Sequence, residues 1–322
     1  MKLCIHRCKI ESMLGVCCHW LKSHVQPRTG NTVLVNEMSE RTLQLGRFQR
    51  GAYTDEQIRA TYISNIKNLA AMIPKVSAAG IRLFRISSSL FPLADKVPRK
   101  TWDNPAVRAE LQRAGAAAIS RGIRLTTHPG QFCVISSDSD RVVENSFNEL
   151  SLHGWIFDAM GLPRSPHAAI NIHGGKGDRH SRLVDGIRSL PQSVRSRLTL
   201  ENDESAYSVV DLLPVYKETG VPIVWDSHHH TFNDGELTAD EAFNVTQLTW
   251  PKGVIPLQHI SNTEPSLLNG SFIDRRKHSD YIHHVPDCQL RGLRDDTIAV
   301  EVEAKHKNLS VDLMASMFNI PK

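Results

Sequence analysis

The strongest constraint on this chain is an alternation repeated eight times: a short apolar run, then a longer stretch with the spacing of an amphipathic helix. The runs are MLGVCC (13–18), IRLFRIS (81–87), IRLTTHP (123–129), AAINIHGG (168–175), LTLEND (198–203), VPIVWDS (221–227), VIPLQHIS (254–261) and IAVEVEA (298–304). Helical stretches include EQIRATYISNIKNLAAMIPKVSAAG (56–80), NPAVRAELQRAGAAAISRG (104–122) and SVVDLLPVYKETG (208–220), each ending in a glycine where a helix would stop. Such β-then-α units specify a parallel sheet covered by helices, and eight of them close a (β/α)8 barrel. A doubly wound open sheet is the alternative. It would place a glycine-rich phosphate turn after the first strand, and LGVCCHW is not one. The expectation is an α/β protein with one TIM-barrel domain over 13–322, residues 1–12 being an extension or an over-long start. Two long excursions interrupt it, a first βα loop over 19–51 and a loop over 262–296 before the last strand.

In a barrel the carboxyl ends of all strands face one rim, where active sites are assembled. Here those ends read TTHP (His128), NIHGG (His173), LEND (Glu201), WDSHHH (Asp226 to His230), LQHIS (His259) and VEVEA (Glu301, Glu303). Buried parallel strands otherwise run as valine, isoleucine and leucine. Any one such histidine is more often a hydrogen-bonded loop residue than a ligand. A lone carboxylate is more often a helix cap, as Asp203 and Asp211 would be. The set is different, because imidazoles and carboxylates converging on one rim are badly desolvated unless a cation neutralises them. Mixed ligands of this kind suit Zn²⁺, Mn²⁺ or Fe²⁺ rather than Ca²⁺. More than four ligands imply more than one ion, and clustered ions are the standard device for phosphoryl transfer.

Charge decides little: 38 Lys and Arg against 34 Asp and Glu give a net +4, which permits an anionic partner and demands none. Cys4, Cys8, Cys17 and Cys18 crowd the N-terminus while Cys133 and Cys288 are scattered; no pair has zinc-ribbon spacing, so all are read as reduced thiols. No window approaches the roughly 20 apolar residues of a membrane span, and MKLCIHRCKIES lacks the apolar core of a signal sequence. The expectation is a cytoplasmic protein with no membrane association.

The words HPGQF (128–132), HGG (173–175), LENDE (200–204), DSHHH (226–230), QHIS (258–261) and VEAK (302–305), in this order, resemble the UV damage endonuclease family. FRISSSLFPLA (84–94) and RTLQLGRF (41–48) are similar to family text as well, and the resemblance covers about residues 13–305. It implies a (β/α)8 barrel related to endonuclease IV. It also implies an enzyme that nicks damaged double-stranded DNA immediately 5′ to UV photoproducts, and often at abasic sites, leaving a 3′-hydroxyl and a 5′-phosphate. Two to three divalent ions are implied, most commonly Mn²⁺, with Zn²⁺ or Mg²⁺ as alternatives. One ion would be held by His128, His173 and Glu201; Glu201 would bridge to a second held by Asp226, His259 and Glu303; a third would take His229 and His278. Glu201, Asp226 and Glu303 would carry the catalysis. The spacing of Asp226 and His229 puts them on one side if the chain turns helically after the strand, leaving His228 and His230 to the rim or to phosphate. Gln131 and Phe132 stand where the family wedges a Gln-Tyr pair into the duplex opposite the lesion, and Arg275, Arg276 and Lys277 would touch phosphate. No protein partner is implied, and a monomer, associated with the nucleoid when on DNA, suffices.

Some positions depart from the family pattern. A family lysine two residues before the histidine of the seventh strand is Leu257 here, costing the third ion an oxygen that Asp280 or Asp274 would have to replace. A family histidine after the second strand falls near Lys96, and a tyrosine and asparagine of the first strand fall at Val16 and Trp20. Two other readings compete: a sugar isomerase or epimerase of the xylose-isomerase type, and a DNA-damage sensor without turnover. The number of histidines exceeds what the isomerase needs.

Overall fold

In a computed structural model the described residues are 13–26, 31–37 and 40–321; Cys4, Cys8 and the expected 1–12 extension lie outside them. Eight parallel strands close a barrel: β1 (Met13–Cys17), β2 (Leu83–Ile86), β3 (Arg124–Thr127), β4 (Ile170–His173), β5 (Leu198–Glu201), β6 (Ile223–Asp226), β7 (Leu257–Ile260) and β8 (Ala299–Val302). Closure occurs where β1 lies between β2 and β8, with Cys17 beside Arg85 and Val16 beside Val302. Each strand is followed by a helix on the outside: α1 (Asp55–Ala78), α2 (Pro105–Ile119), α3 (Asp140–Ala159), α4 (His180–Ser189), α5 (Val209–Thr219), α6 (Ala239–Gln247), α7 (Asp287–Arg294) and α8 (Lys307–Met317). Side chains of Thr54, Asn104, Ser208 and Thr238 accept the first free amides of α1, α2, α5 and α6, which fixes where those helices begin. Gly220 ends α5 in the left-handed conformation, φ 71°.

Alternate strand residues point outward to the helices or inward to the barrel axis. Leu83, Ala169, Val224, Leu257 and Ala299 form a separate apolar cluster with Trp250, the floor of the barrel. Above that floor the interior turns polar. Thr199 donates to Asn171, and Thr126 and Arg85 both donate to Glu301, so buried polar groups are matched to one another.

Two expectations are corrected. The 19–51 excursion holds an antiparallel hairpin, Leu21–Val25 with Thr32–Asn36, and a short helix at Leu45–Gln49. The 262–296 excursion is not all loop either, since it contains α7, the barrel's seventh helix.

Candidate metal centre

Two groups of ligand atoms meet at the carboxyl ends of the strands. His128, His173 and Glu201 form one; Glu201, Asp226, His259 and Glu303 form the other; within each group the atoms lie within 4.8 Å of one another. Glu201, at 1% exposure, belongs to both. Its Oε2 faces His128 Nε2 at 3.0 Å and its Oε1 faces His259 Nδ1 at 3.0 Å, so one carboxylate presents an oxygen to each group. The Asn171 amide donates to Oε2 and fixes the rotamer.

The chain supports each ligand locally. His128 Nδ1 lies 2.9 Å from the Pro129 carbonyl, which can only accept, so the ring is held there and its Nε2 is turned toward Glu201. His259 Nε2 faces Glu301 at 3.1 Å, turning Nδ1 toward both Glu201 and Glu303, each at 3.0 Å. That is the carboxylate–histidine arrangement that orients metal ligands. Asp226 caps the short helix Ser227–His230, its Oδ1 accepting the amides of His228 and His229 at 2.7 and 2.8 Å. The chain thus turns helically directly after β6.

Gly174 and Gly175 explain the HGG word. A Cβ at Gly174 would stand 2.5 Å from the Tyr207 ring, and Gly175 has φ +88°. Tyr207 in turn donates to the Lys176 carbonyl at 3.0 Å, sealing the turn behind His173.

The electrostatics are those of a cation site. Burial would raise the Glu201 carboxyl, yet His259, His173 and His128 hold it well below the usual range. Burial likewise opposes charge on His259, but Glu201 and Glu301 keep its imidazolium well above the ordinary value. Glu303 is held low by Arg85 and His259 against its burial, and Glu301, against the same penalty, falls to about 2 beside Arg85 and His259. Asp226 Oδ2 and His173 Nδ1 are buried without any hydrogen-bond partner. Unpaired buried acceptors cost free energy that a bound cation removes. The donor set, imidazole plus carboxylate in two overlapping groups, fits divalent first-row ions.

The remaining expected residues distribute differently. His229 Nδ1 lies 3.1 Å from Glu204 and its Nε2 3.7 Å from Glu201; despite burial, Asp226, Glu204 and Glu201 raise it to about 10. His278 is 3.8 Å from Glu303 and packs edge-on against His228, 5.9 Å between rings. Neither completes a third group among the described residues. Asp280 faces Lys305 and His306 instead, and Asp274 is bound to Lys277 and Ser271. Leu257 points down into the apolar floor. His230 packs on Trp225, away from the centre.

Gln131 and Phe132 stand on the exposed loop after β3, Phe132 at 81% exposure. Arg275, Arg276 and Lys277 are exposed, with Arg276 paired to Glu204 and Lys277 to Asp274. Lys96 pairs with its neighbour Asp95. On β1, Val16, at the place of a family tyrosine, is buried in the core, and its neighbour Cys17 faces Glu301 and Glu303. Cys17 lies with Glu301 and Glu303, but Arg85 already pairs with both carboxylates and burial pushes the thiol well above its usual value. The four cysteines among the described residues are free thiols.

Sequence reasoning missed Arg85, the orienting role of Glu301, and Asn171. The signal for Arg85 was present: a charge inside an apolar run must find partners when buried.

Fold and rim together define a TIM barrel whose mouth carries two candidate metal-binding groups sharing Glu201. A family model described as UV-endonuclease UvdE matches residues 29–322. The chain belongs to this UV-endonuclease family. It is 36% identical over 291 residues to the UV DNA damage endonuclease of Deinococcus radiodurans, covering 87% of this chain and 92% of that one. It is 33% identical over 302 residues to the UV DNA damage endonuclease of Nostoc sp., covering 90% of each. The fold matches the crystal structure of SacUVDE with TM-score 0.77 at 24% identity, over 96% of this chain and 99% of that one. Endonuclease IV from Thermus thermophilus matches with TM-score 0.55 at 16% identity, over 78% and 93%. Family membership sets the isomerase reading aside. No described helix is long and apolar enough to cross a membrane.

Proposed function

We propose that this protein nicks the damaged strand of duplex DNA immediately 5′ to UV photoproducts, and at abasic sites, leaving a 3′-hydroxyl and a 5′-phosphate. The observation that carries the chemistry is Glu201, one buried carboxylate shared by two ligand groups. His128, His173 and Glu201 would hold one ion, and Glu201, Asp226, His259 and Glu303 a second. Manganese is the ion we assign, on the family resemblance and on the mixed imidazole and carboxylate donors. When bound, such ions polarise a phosphodiester and lower the pKa of water toward neutrality.

The chain's own groups prepare the site for this. Glu301 holds the His259 ring so that Nδ1 faces the cluster, and Asn171 keeps Glu201 from turning. Arg85 places a buried positive charge against Glu301 and Glu303. Phe132, with Gln131 beside it, enters the stack opposite the lesion, where an aromatic face stacks on a base. Arg275, Arg276 and Lys277 are exposed basic residues on the loop after β7 and would meet the phosphate backbone. The enzyme acts as a monomer in the cytoplasm, on the nucleoid.

The test is nicking of an end-labelled duplex with one pyrimidine photoproduct, in Mn²⁺, beside undamaged and abasic duplexes. A single cut 5′ to the photoproduct supports the reading. Cutting at the abasic site alone would restrict it to that lesion. No cutting by protein shown to hold metal would leave a silent damage sensor.

A further inference from the structure

Across the barrel mouth from Phe132 stands a second apolar tip. Twelve large apolar side chains are exposed among the described residues, and three of them fall within six positions: Leu268 at 60%, Phe272 at 42% and Ile273 at 68%. They lie on the loop after β7, whereas Phe132 lies on the loop after β3. In the closed order of strands β3 and β7 are four places apart, on opposite sides of the axis, so the two loops flank the metal centre.

This second loop is braced rather than free-standing. Thr263 and His278 bridge its base, Thr263 donates to the Arg275 carbonyl at 2.6 Å, and Ser271 accepts the Asp274 amide at 3.2 Å. A run of ring contacts ties it to the turn that follows Asp226. His228 meets Phe232 at 5.1 Å and Phe232 meets Phe272 at 5.5 Å, while Arg275 and Arg276 each sit 5.5 Å over one of these two phenyl rings. Phe272 is therefore the anchor, and Leu268 and Ile273 are the tip. Arg275, Arg276 and Lys277 stand directly beside that tip, Arg276 paired with Glu204, Lys277 with Asp274, and Arg275 over the Phe232 ring. An apolar point flanked by positive charge is the composition of a side chain that wedges between base steps while its neighbours hold phosphates.

We infer that Leu268 and Ile273 form a second wedge, entering the duplex from the side opposite Phe132, so that the two prongs hold a kinked helix over the metal centre. The inference rests on the DNA-nicking reading of that centre. Binding of the wedge pulls on Phe272, and through Phe232 and His228 on the turn that carries Asp226 and His229.

The test compares wild type with Leu268→Ser/Ile273→Ser on a photoproduct duplex with fluorophores at both ends. Both side chains are mostly solvated, so the double variant keeps its fold, which near-UV circular dichroism checks. The expected result is about tenfold weaker binding to the damaged duplex, with loss of the end-to-end energy transfer that reports bending. Binding and bending equal to wild type would overturn the wedge while leaving the nicking reading intact. Normal DNA binding with lost self-association would assign the tip to a second copy of the chain and overturn it as well. Failure of wild type itself to bind or nick any damaged duplex would overturn both.

Discussion

Glu201 cannot be replaced by a neutral isostere, because each of its two oxygens serves a different ligand group. Glu201→Gln should lose more than about 100-fold in nicking rate, beyond what losing a merely orienting group costs, and should bind fewer ions per chain. Rate and metal content measured on the same folded sample check this. Glu301→Gln is predicted to be milder. It loosens the His259 ring without removing a ligand, so metal affinity should weaken by about 10- to 100-fold, read from a binding isotherm. The contrast shows where residue-level reading succeeds. His128, His173, Glu201, Asp226, His259 and Glu303 were legible as polar endings on apolar runs. Glu301 was legible as an ending too, but its part in orienting His259 was not. Nor was Cys17, since which of two adjacent residues faces the axis depends on a strand parity that one end word does not give. A shift of one residue exchanges the two faces, so Cys17 meets Glu301 and Glu303 while its neighbour Val16 packs in the core.

Among the elements, the eight barrel strands were legible because each is a compact apolar run bounded by turn residues. The hairpin was not. Its strands, LKSHV and TVLVN, are largely exposed and show no buried face to betray them. The seventh helix hid for another reason: DCQLRGLR is only eight residues long and has few apolar positions to repeat. The turn after β4 carries a prediction of its own. Gly174→Ala would drive a methyl into the Tyr207 ring, whose hydroxyl and amide are both engaged. Stability should fall by about 1–3 kcal/mol, measured by urea denaturation, with metal binding weakened because the turn behind His173 is displaced.

For the whole molecule, acid should loosen the barrel through a buried histidine that belongs to neither ligand group. His153, on α3, is buried and neutral, and burial lowers its pKa to about 4 from 6.5. Between those values the unfolded chain takes a proton that the folded chain refuses, so stability falls as pH drops from about 6.5 toward about 4 and is restored above that window. The full effect is about 3 kcal/mol, since each tenfold difference in proton affinity between the two states is worth roughly 1.4 kcal/mol. His153→Asn should therefore lose less stability than wild type between pH 7 and pH 5 in melts with chelator present. Equal losses would remove His153 from the account.

The order of the ligands along the chain has a last consequence. The first, His128, and the last, Glu303, are separated by more than half the sequence, and Glu303 follows directly on the strand that closes the barrel against β1. A nascent chain on the ribosome therefore owns no complete second ligand group until the last strand of the barrel has emerged. The group that Glu303 completes is assembled only when β8 closes the barrel, and a product cut short before β8 would lack it from birth.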